Sequence, residues 1–449
     1  MVRVIVDAMR EICVYPSLSQ CAVVAKSIIE QYPDSFEDLT DEGDRMGSGH
    51  FTLCSQLKTR VDNLNRNNTL ARLRIPKRPA VTVENSQPAL SRKCARTDSY
   101  GCINWQPSEL PEGETRESLR EKKEELKSIF TQEGQKGADR GRVNELMMIT
   151  CEPQHRAINA APAPSIHQLK SEWPFLFMKR FLIQHFSTLT GIELESRLRE
   201  SIAGKGRRFF KAQLLRWSKE VRTVLADIER ESGDVDPGLA AILVMMAFFK
   251  EKEDSLFLLA DVTTTQADVE TQLSLPSTPR IILLGDSILA PKKRMLALEG
   301  KVVIEPSHLQ MNLTSALAVL FGSFYVFNIE YQEEAATTLE FIQRFLVRIN
   351  PENSKCTSWF QVSRKSGKTV QRKTMALNPH VASFIRDFAD YDWTVTSAVT
   401  PAQYDATAHH HHHLLTWPTP PPPPPSPGPH DHLHSHLAPT TDDCGFGEC

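Results

Sequence analysis

The sequence has few of the features that mark exported or membrane-spanning proteins. Its nine cysteines are scattered and form no Cys-x-x-Cys pair, which argues against a disulfide framework and favours reduced thiols. The first ten residues carry charges but no apolar core, so they do not resemble a signal peptide. The longest apolar run, Leu239 to Phe249, is much shorter than the ~20 residues that span a bilayer. We therefore expect an intracellular protein of the cytoplasm or nucleus that is not embedded in a membrane.

Motifs for chemistry are scarce as well. Gly204-Lys205-Gly206 lacks the upstream glycine and the Ser/Thr of a phosphate-binding loop. The run 282–287 ends in Gly-Asp-Ser and resembles the nucleophile block of GDSL-type esterases, but such a serine needs an activating Asp-x-x-His and oxyanion-hole donors. The candidate partners, Asp431 and His434, lie in a low-complexity tail, and a Gly-Asp turn after a strand explains the same residues. We predict a protein that is not an enzyme, with no catalytic residue, no cofactor and no small-molecule substrate.

The tail, residues 392–449, contains little that would build a core. It holds nine of the fifteen histidines and an unbroken run from Pro420 to Pro425, and we predict that it is disordered. Histidine tracts bind transition metals weakly, but a flexible tail fixes no tetrahedral shell, so we predict no metal site. The proline run is typical of polyproline II ligands of SH3, WW or EVH1 domains, and an unselected tail is the alternative.

Hydrophobic spacing predicts a mainly α-helical fold. The clearest apolar stripe, at helical steps of three and four, runs from Ala335 to Ile349 and ends at Asn350-Pro351. An N-terminal module of residues 1–68 is expected to contain one helix capped by Ser19 and a second that begins near Phe51. Residues 69–116 are expected to form a basic and proline-rich linker, and residues 117–142 a charged helix with its connector. Residues 143–391 are expected to form a mostly helical main domain with minor β runs at 280–284 and 301–305.

Basic residues cluster after the second predicted helix. The segment 58–78 contains seven of them against a single acid, Asp62, with asparagines interleaved. Such side chains suit contacts with phosphates and base edges, whereas the simpler interpretation is the solvated face of an amphipathic helix or a nuclear localisation signal. A second basic face is expected on one continuous helix through 208–228. The candidate nucleic-acid-binding residues are Lys58, Arg60, Arg66, Arg72, Arg74, Lys77 and Arg78.

The predicted linker contains one segment that favours protein docking. Trp105 and Pro107 lie in Ile-Asn-Trp-Gln-Pro, and a large aromatic residue in a linker is seldom there without a surface to contact. Packing back onto the main domain is the alternative. Together with the charged helix at 117–132, this segment favours a non-enzymatic interaction or scaffold protein whose partners are other proteins, and nucleic-acid binding through 58–78 is the alternative function.

Several phrases resemble one known family. This chain resembles the sterile alpha motif domain-containing protein 3-like proteins of vertebrates, mostly fish, over residues 17–391. Too few residues precede Pro16 for the five helices of a sterile alpha motif, so we expect that motif to be missing. The resemblance implies a regulatory or scaffolding role and brings no catalytic residue. The phrases that carry it, in order, are 32–36, 47–50, 56–61, 100–107, 172–176, 185–191 and 321–328.

Overall fold

A computed structural model describes most of the predicted folded region. The mainly α-helical class with a small β element is confirmed. None of the described helices combines the length and the apolar content that crossing a bilayer requires. The described residues are 1–66, 109–214 (except the side chains of 206, 207 and 209–214), 218–305, 312–353, 355, 358–363, 366–373 and 376–390.

The N-terminal residues form a small helical unit with its own core. The second helix is capped by Ser17 rather than Ser19, because the Ser17 hydroxyl accepts from Gln20 N while the Gln20 side chain accepts from Ser17 N. Buried side chains such as Val6, Cys21 and Leu57 hold the helices together. The helices are α1 (Val2–Ile12), α2 (Leu18–Gln31), α3 (Pro33–Phe36) and α4 (Phe51–Leu64).

A series of helices follows the predicted linker. The charged helix is amphipathic: Leu119, Leu126 and Ile129 are buried, and the last two belong to the main core. Short 3-10 turns at Gly134–Asp139 and Pro174–Phe177 connect the first of these helices. The helices are α5 (Arg116–Glu133), α6 (Gly141–Ile149), α7 (Cys151–Ile158), α8 (Ile166–Glu172), α9 (Lys179–Thr190), α10 (Leu194–Leu214), α11 (Lys219–Arg230) and α12 (Pro237–Phe249).

The expectation of one continuous helix through 208–228 was wrong. Ser218 has an extended backbone, and its hydroxyl accepts from Val221 N, so α11 starts at Lys219 as a separate helix. A serine that caps a helix start competes with helix continuation, and the apolar spacing of the sequence runs through this break unchanged.

A four-stranded mixed sheet lies between helices. Strands β1 and β2 are parallel, whereas β2, β3 and β4 are antiparallel neighbours, so the predicted runs 280–284 and 301–305 belong to one sheet. Alternate residues of β2 enter different cores: Ile281 and Leu283 join the main core, while Ile282 and Leu284 pack with Val269 of α13. The elements are β1 (Phe257–Ala260), α13 (Gln266–Gln272), β2 (Arg280–Leu284), β3 (Lys293–Leu298) and β4 (Lys301–Ile304).

The last part of the chain builds the centre of the main core. Helix α14 (Leu313–Val326) is buried along its whole length, which suits its mostly apolar sequence. The predicted helix 335–349 is instead α15 (Ala336–Phe341) followed by a π-helix (Ile342–Val347), which ends where Arg348 adopts a positive φ of 67°. A hairpin of β5 (Ser358–Val362) and β6 (Thr369–Lys373) and helix α16 (Pro379–Ala389) complete the fold.

The N-terminal unit and the following helices share contacts. Met46 and Phe51 belong to the main core, and Lys205 forms ion pairs with Asp41 and Glu42 at 3.2 and 3.1 Å. Arg348 pairs with Glu42 and Asp44 of the same loop. The predicted N-terminal module and the predicted main domain therefore touch in three dimensions, and the boundaries at 68, 116 and 142 stay predictions.

Candidate functional site

The described part of the basic cluster lies on and after α4. Lys58 Nζ donates to Asp62 Oδ1 at 2.7 Å and to the Pro16 carbonyl at 3.4 Å. Arg66 donates to Asn63 Oδ1 at 2.5 Å, and the half-buried Arg60 has a guanidinium Nε that meets no hydrogen-bonding partner among the described residues. Much of this basic charge is thus engaged within the module.

These residues do not share one face. A step of two residues is a rotation of about 200° on a helix, so Lys58 and Arg60 point to nearly opposite sides of α4. Asn65, one of the interleaved asparagines, is buried and joins the ends of α1 and α4, since it accepts from Arg10 at 3.3 Å and donates to the Val14 carbonyl at 2.9 Å. The structure therefore brings together fewer of the predicted residues than the sequence suggests. The remaining candidates lie outside the described residues: Arg72, Arg74, Lys77, Arg78, Trp105 and Pro107.

A surface that the sequence analysis missed covers the N-terminal unit. In α1, Val6 faces the core, while Val4 and Ile12 on the opposite side are 71% and 93% exposed. Nine of the twelve large hydrophobic side chains that are exposed among the described residues lie within residues 1–39. Exposed apolar side chains that are concentrated in one segment indicate a candidate interaction site. We call this set the N-terminal apolar surface: Met1, Val4, Ile12, Val14, Tyr15, Leu18, Val23, Tyr32 and Leu39.

A buried polar network connects α7 and α9. The His185 ring donates through Nδ1 to Gln154 Oε1 at 3.2 Å, and Cys151 Sγ lies 3.8 Å from the same nitrogen. The amide of Gln154 donates in turn to the Met147 carbonyl at 3.0 Å and to Thr150 Oγ1 at 2.9 Å. With Nδ1 protonated, Nε2 of His185 carries the lone pair, and it has no hydrogen-bond partner in the described part of the chain.

The network extends from His155 to the end of α14. Asn159 Nδ2 donates to His155 Nε2 at 3.0 Å, and Asn159 Oδ1 accepts from Asn328 at 2.7 Å. The rings of His155 and His185 are 5.9 Å apart. A spacing of four residues places Cys151, His155 and Asn159 on one face of the chain. Polar residues at that spacing usually predict a solvated helix face, so the sequence alone did not indicate a buried network.

Burial sets the protonation of this network. It lowers the pKa of His155 to about 4 and that of His185 to about 3, with the nearby His155 adding to the second shift. It also raises the pKa of the Cys151 thiol to about 12. Both rings are therefore neutral near pH 7 and the sulfur stays a thiol, whereas nucleophilic cysteines act as thiolates.

Other candidate chemistry looks different in three dimensions. The Ser287 hydroxyl accepts a hydrogen bond from Leu289 N at 3.2 Å, which is the turn that a Gly-Asp-Ser sequence after a strand favours. Asp431 and His434, the partners considered for it, lie outside the described residues. Over the described ranges, no group of three His, Cys, Asp or Glu side chains is placed to hold a metal ion.

Residues 119–178 match the family model described as the helical domain of sterile alpha motif domain-containing protein 3. This part of the chain is similar to that helical domain. The resemblance inferred from the sequence phrases is thereby confirmed. No curated protein and no solved structure matches the chain.

The matched segment begins within α5 and ends just after the second 3-10 turn. Phe130 and Phe175 meet edge to face at 5.2 Å, and Lys123 lies 5.1 Å above the Trp173 ring. Gly137 allows this close packing, because a Cβ there would lie 2.8 Å from Ile129 Cγ2. The buried polar network therefore joins Thr150 to Asn159, inside the matched segment, with His185 and Asn328, outside it.

Proposed function

We propose that this protein is a non-enzymatic, intracellular interaction protein that regulates or scaffolds other proteins in the cytoplasm or nucleus. The N-terminal apolar surface is the observation that carries the proposal, because exposed hydrophobic side chains are concentrated there and scarce on the other described surfaces. The helical domain of the family supports the same class of function. No resident cofactor or small-molecule substrate forms part of this proposal.

Truncation of the apolar surface tests the proposal. We expect Val4→Ser with Ile12→Ser to remove most partners found by proximity labelling in the native tissue, because two exposed hydrophobic contacts of about 1 kcal/mol each weaken binding roughly tenfold or more. Met148→Ser with Leu259→Ser is the matched control, since both side chains are exposed but lie elsewhere. An unchanged set of labelled proteins in the Val4 and Ile12 variant, with its folding intact, would contradict the proposal.

Nucleic-acid binding through 58–78 is the second candidate function. It is favoured by the excess of basic residues in this segment and by the exposure of Arg66. Phosphate contacts release counterions, so binding by such a patch weakens steeply as salt is added. This function and the first one use different residues, which separates their tests.

Mobility shifts with DNA and RNA at near-physiological salt test this second function. If the patch binds phosphates, its neutralised variant should lower the salt slope by about 0.9 for each phosphate of duplex DNA that it no longer neutralises. Identical shifts for the wild type and this variant, or no shift at all, would refute it. The neutralised residues are Arg60, Arg66, Arg72 and Arg74, changed to Ala. A control with the same charge change elsewhere replaces Arg3, Lys26, Arg116 and Arg120 by Ala.

A further inference from the structure

The hairpin of β5 and β6 has a basic and exposed second strand. Five of the eleven residues from 363 to 373 are Lys or Arg, and none is acidic. All five residues of β6 are exposed. Strand β5 fixes the hairpin to the body, because Trp359 is buried edge-on against His380 at 5.2 Å and Phe360 N donates to the Glu333 carbonyl at 3.3 Å.

The register shows which backbone groups of β6 face outward. Ser363 N donates to the Lys368 carbonyl at 2.9 Å, so residues 368, 370 and 372 bond inward to β5 in the alternating antiparallel pattern. The outward bond of Phe360 fits the same alternation on β5. Residues 369, 371 and 373 therefore direct their N–H and C=O groups away from the hairpin, where no described strand pairs with them.

We propose that β6 binds an extended, acidic segment of a partner protein as a third strand. The outward N–H and C=O groups supply the ladder for strand addition. Lys368, Arg372 and Lys373 supply positive charge along that edge, and the partly exposed Val370 offers an apolar contact. Lysines on an edge strand also prevent pairing between copies of one protein. The same charge selects acidic strands, because like-charged strands are repelled.

This inference goes beyond the proposed function by giving a second surface and the chemistry of its partner. It rests on the proposal that the protein binds other proteins. The two surfaces share no residue, so a result on the hairpin is distinguishable from a result on the N-terminal apolar surface. The variant Val4→Ser with Ile12→Ser should bind a hairpin ligand as the wild type does.

Fluorescence anisotropy of the full chain with a labelled peptide of alternating Glu and Val tests the proposal. We expect Gln371→Pro to weaken binding at least tenfold, because it removes an outward N–H while leaving the inward bonds and the charge in place. Gln371→Ala is the matched control: it also deletes the side-chain bond to Glu333 but keeps the N–H, so binding should change less than about twofold. Circular dichroism of each variant checks that the fold persists.

A charge variant gives a second, independent reading. Lys368→Gln, Arg372→Gln and Lys373→Gln together change only exposed side chains and should also weaken binding of the acidic peptide at least tenfold. Absence of peptide binding to the wild type, or binding that Gln371→Pro leaves unchanged, overturns strand addition. An oligonucleotide probe that binds, is lost in the charge variant and is kept in Gln371→Pro would assign the hairpin to nucleic acid instead.

Discussion

Arg344→Met should lower the free energy of unfolding by about 3–5 kcal/mol. The Arg344 side chain is fully buried, and its Nε donates to Glu340 Oε1 at 2.9 Å. Its other nitrogens donate to the carbonyls of Pro351 and Ala376 at 3.1 and 3.4 Å. The substitution leaves the Glu340 carboxylate buried without its cation, and both carbonyls lose a donor. Urea unfolding at pH 7, followed by circular dichroism, measures the loss.

Two further variants separate charge from packing. Glu340→Gln added to Arg344→Met removes the buried charge but keeps an acceptor for Asn378 N, so part of the stability should return. Arg120→Met breaks an exposed pair with Glu117 and should cost less than about 0.5 kcal/mol. If Arg344→Met is no more harmful than Arg120→Met, the buried ion pair does not stabilise the junction of α15 and the π-helix.

Acid should destabilise the protein through the buried histidines by about 2–3 kcal/mol for each ring between pH 6.5 and 4. The pKa of His155 is lowered to about 4 and that of His185 to about 3, both mainly by burial. Below pH 6.5 these two histidines bind protons in the unfolded chain, whereas the buried rings of the native chain stay neutral. Stability contributed by the neutral rings is therefore complete above pH 6.5 and is lost as the pH falls towards 4.

Carboxyl groups whose pKa is raised by burial oppose this trend, so the comparison must be made between variants; they are Asp38, Glu251 and Glu253. Burial raises the pKa of Glu251 to about 7, although Thr337 and Thr338 donate to its carboxylate. Between about pH 7 and 4.5 the Glu251 carboxyl is protonated in the native chain but ionised in the unfolded chain. Proton binding by the native chain therefore adds stability as the pH falls through this range. This contribution is common to the wild type and His185→Gln and cancels in their difference.

The measurement is the urea midpoint of the wild type and of His185→Gln from pH 7 to pH 4. Glutamine retains an N–H donor for Gln154 but does not titrate, so the variant should lose less stability on acidification than the wild type. Parallel curves for the two proteins would show that His185 does not control the acid sensitivity of this core.

Local sequence patterns predicted much of the fold, but their limits are instructive. Apolar spacing located α4 and the buried helices, and β-branched runs located β2 and β4. Two details depend on which serine hydroxyl accepts from a backbone N–H: Ser17 rather than Ser19 caps α2, and Ser218 caps α11 and so breaks the predicted continuous helix. Ser17 and Ser19 both satisfy the capping pattern in the sequence, so only the geometry of the folded chain decides which of them caps the helix.

The surfaces were harder to predict than the core. Helix α1 was missed although its apolar residues are spaced as in a strongly amphipathic helix, whereas the β5–β6 hairpin was missed because two short polar strands give weak periodic signals. The basic segment 58–78 was recognised by composition, but only the structure shows that Lys58 and Arg60 diverge and that Asn65 is used internally. The domain boundaries, the predicted partners and the absence of an enzymatic reaction stay predictions.

By itself, the sequence determined that this is a mainly helical protein with a small sheet, because helical periodicity and apolar content are properties of neighbouring residues. Only the tertiary structure decided which polar groups are enclosed, as with Arg344 and His185, and which apolar ones face solvent, as with Val4 and Ile12. Burial is set by contacts between residues far apart in the chain. The protonation of the histidines, the cost of losing Arg344 and the position of the exposed surfaces all follow from those contacts.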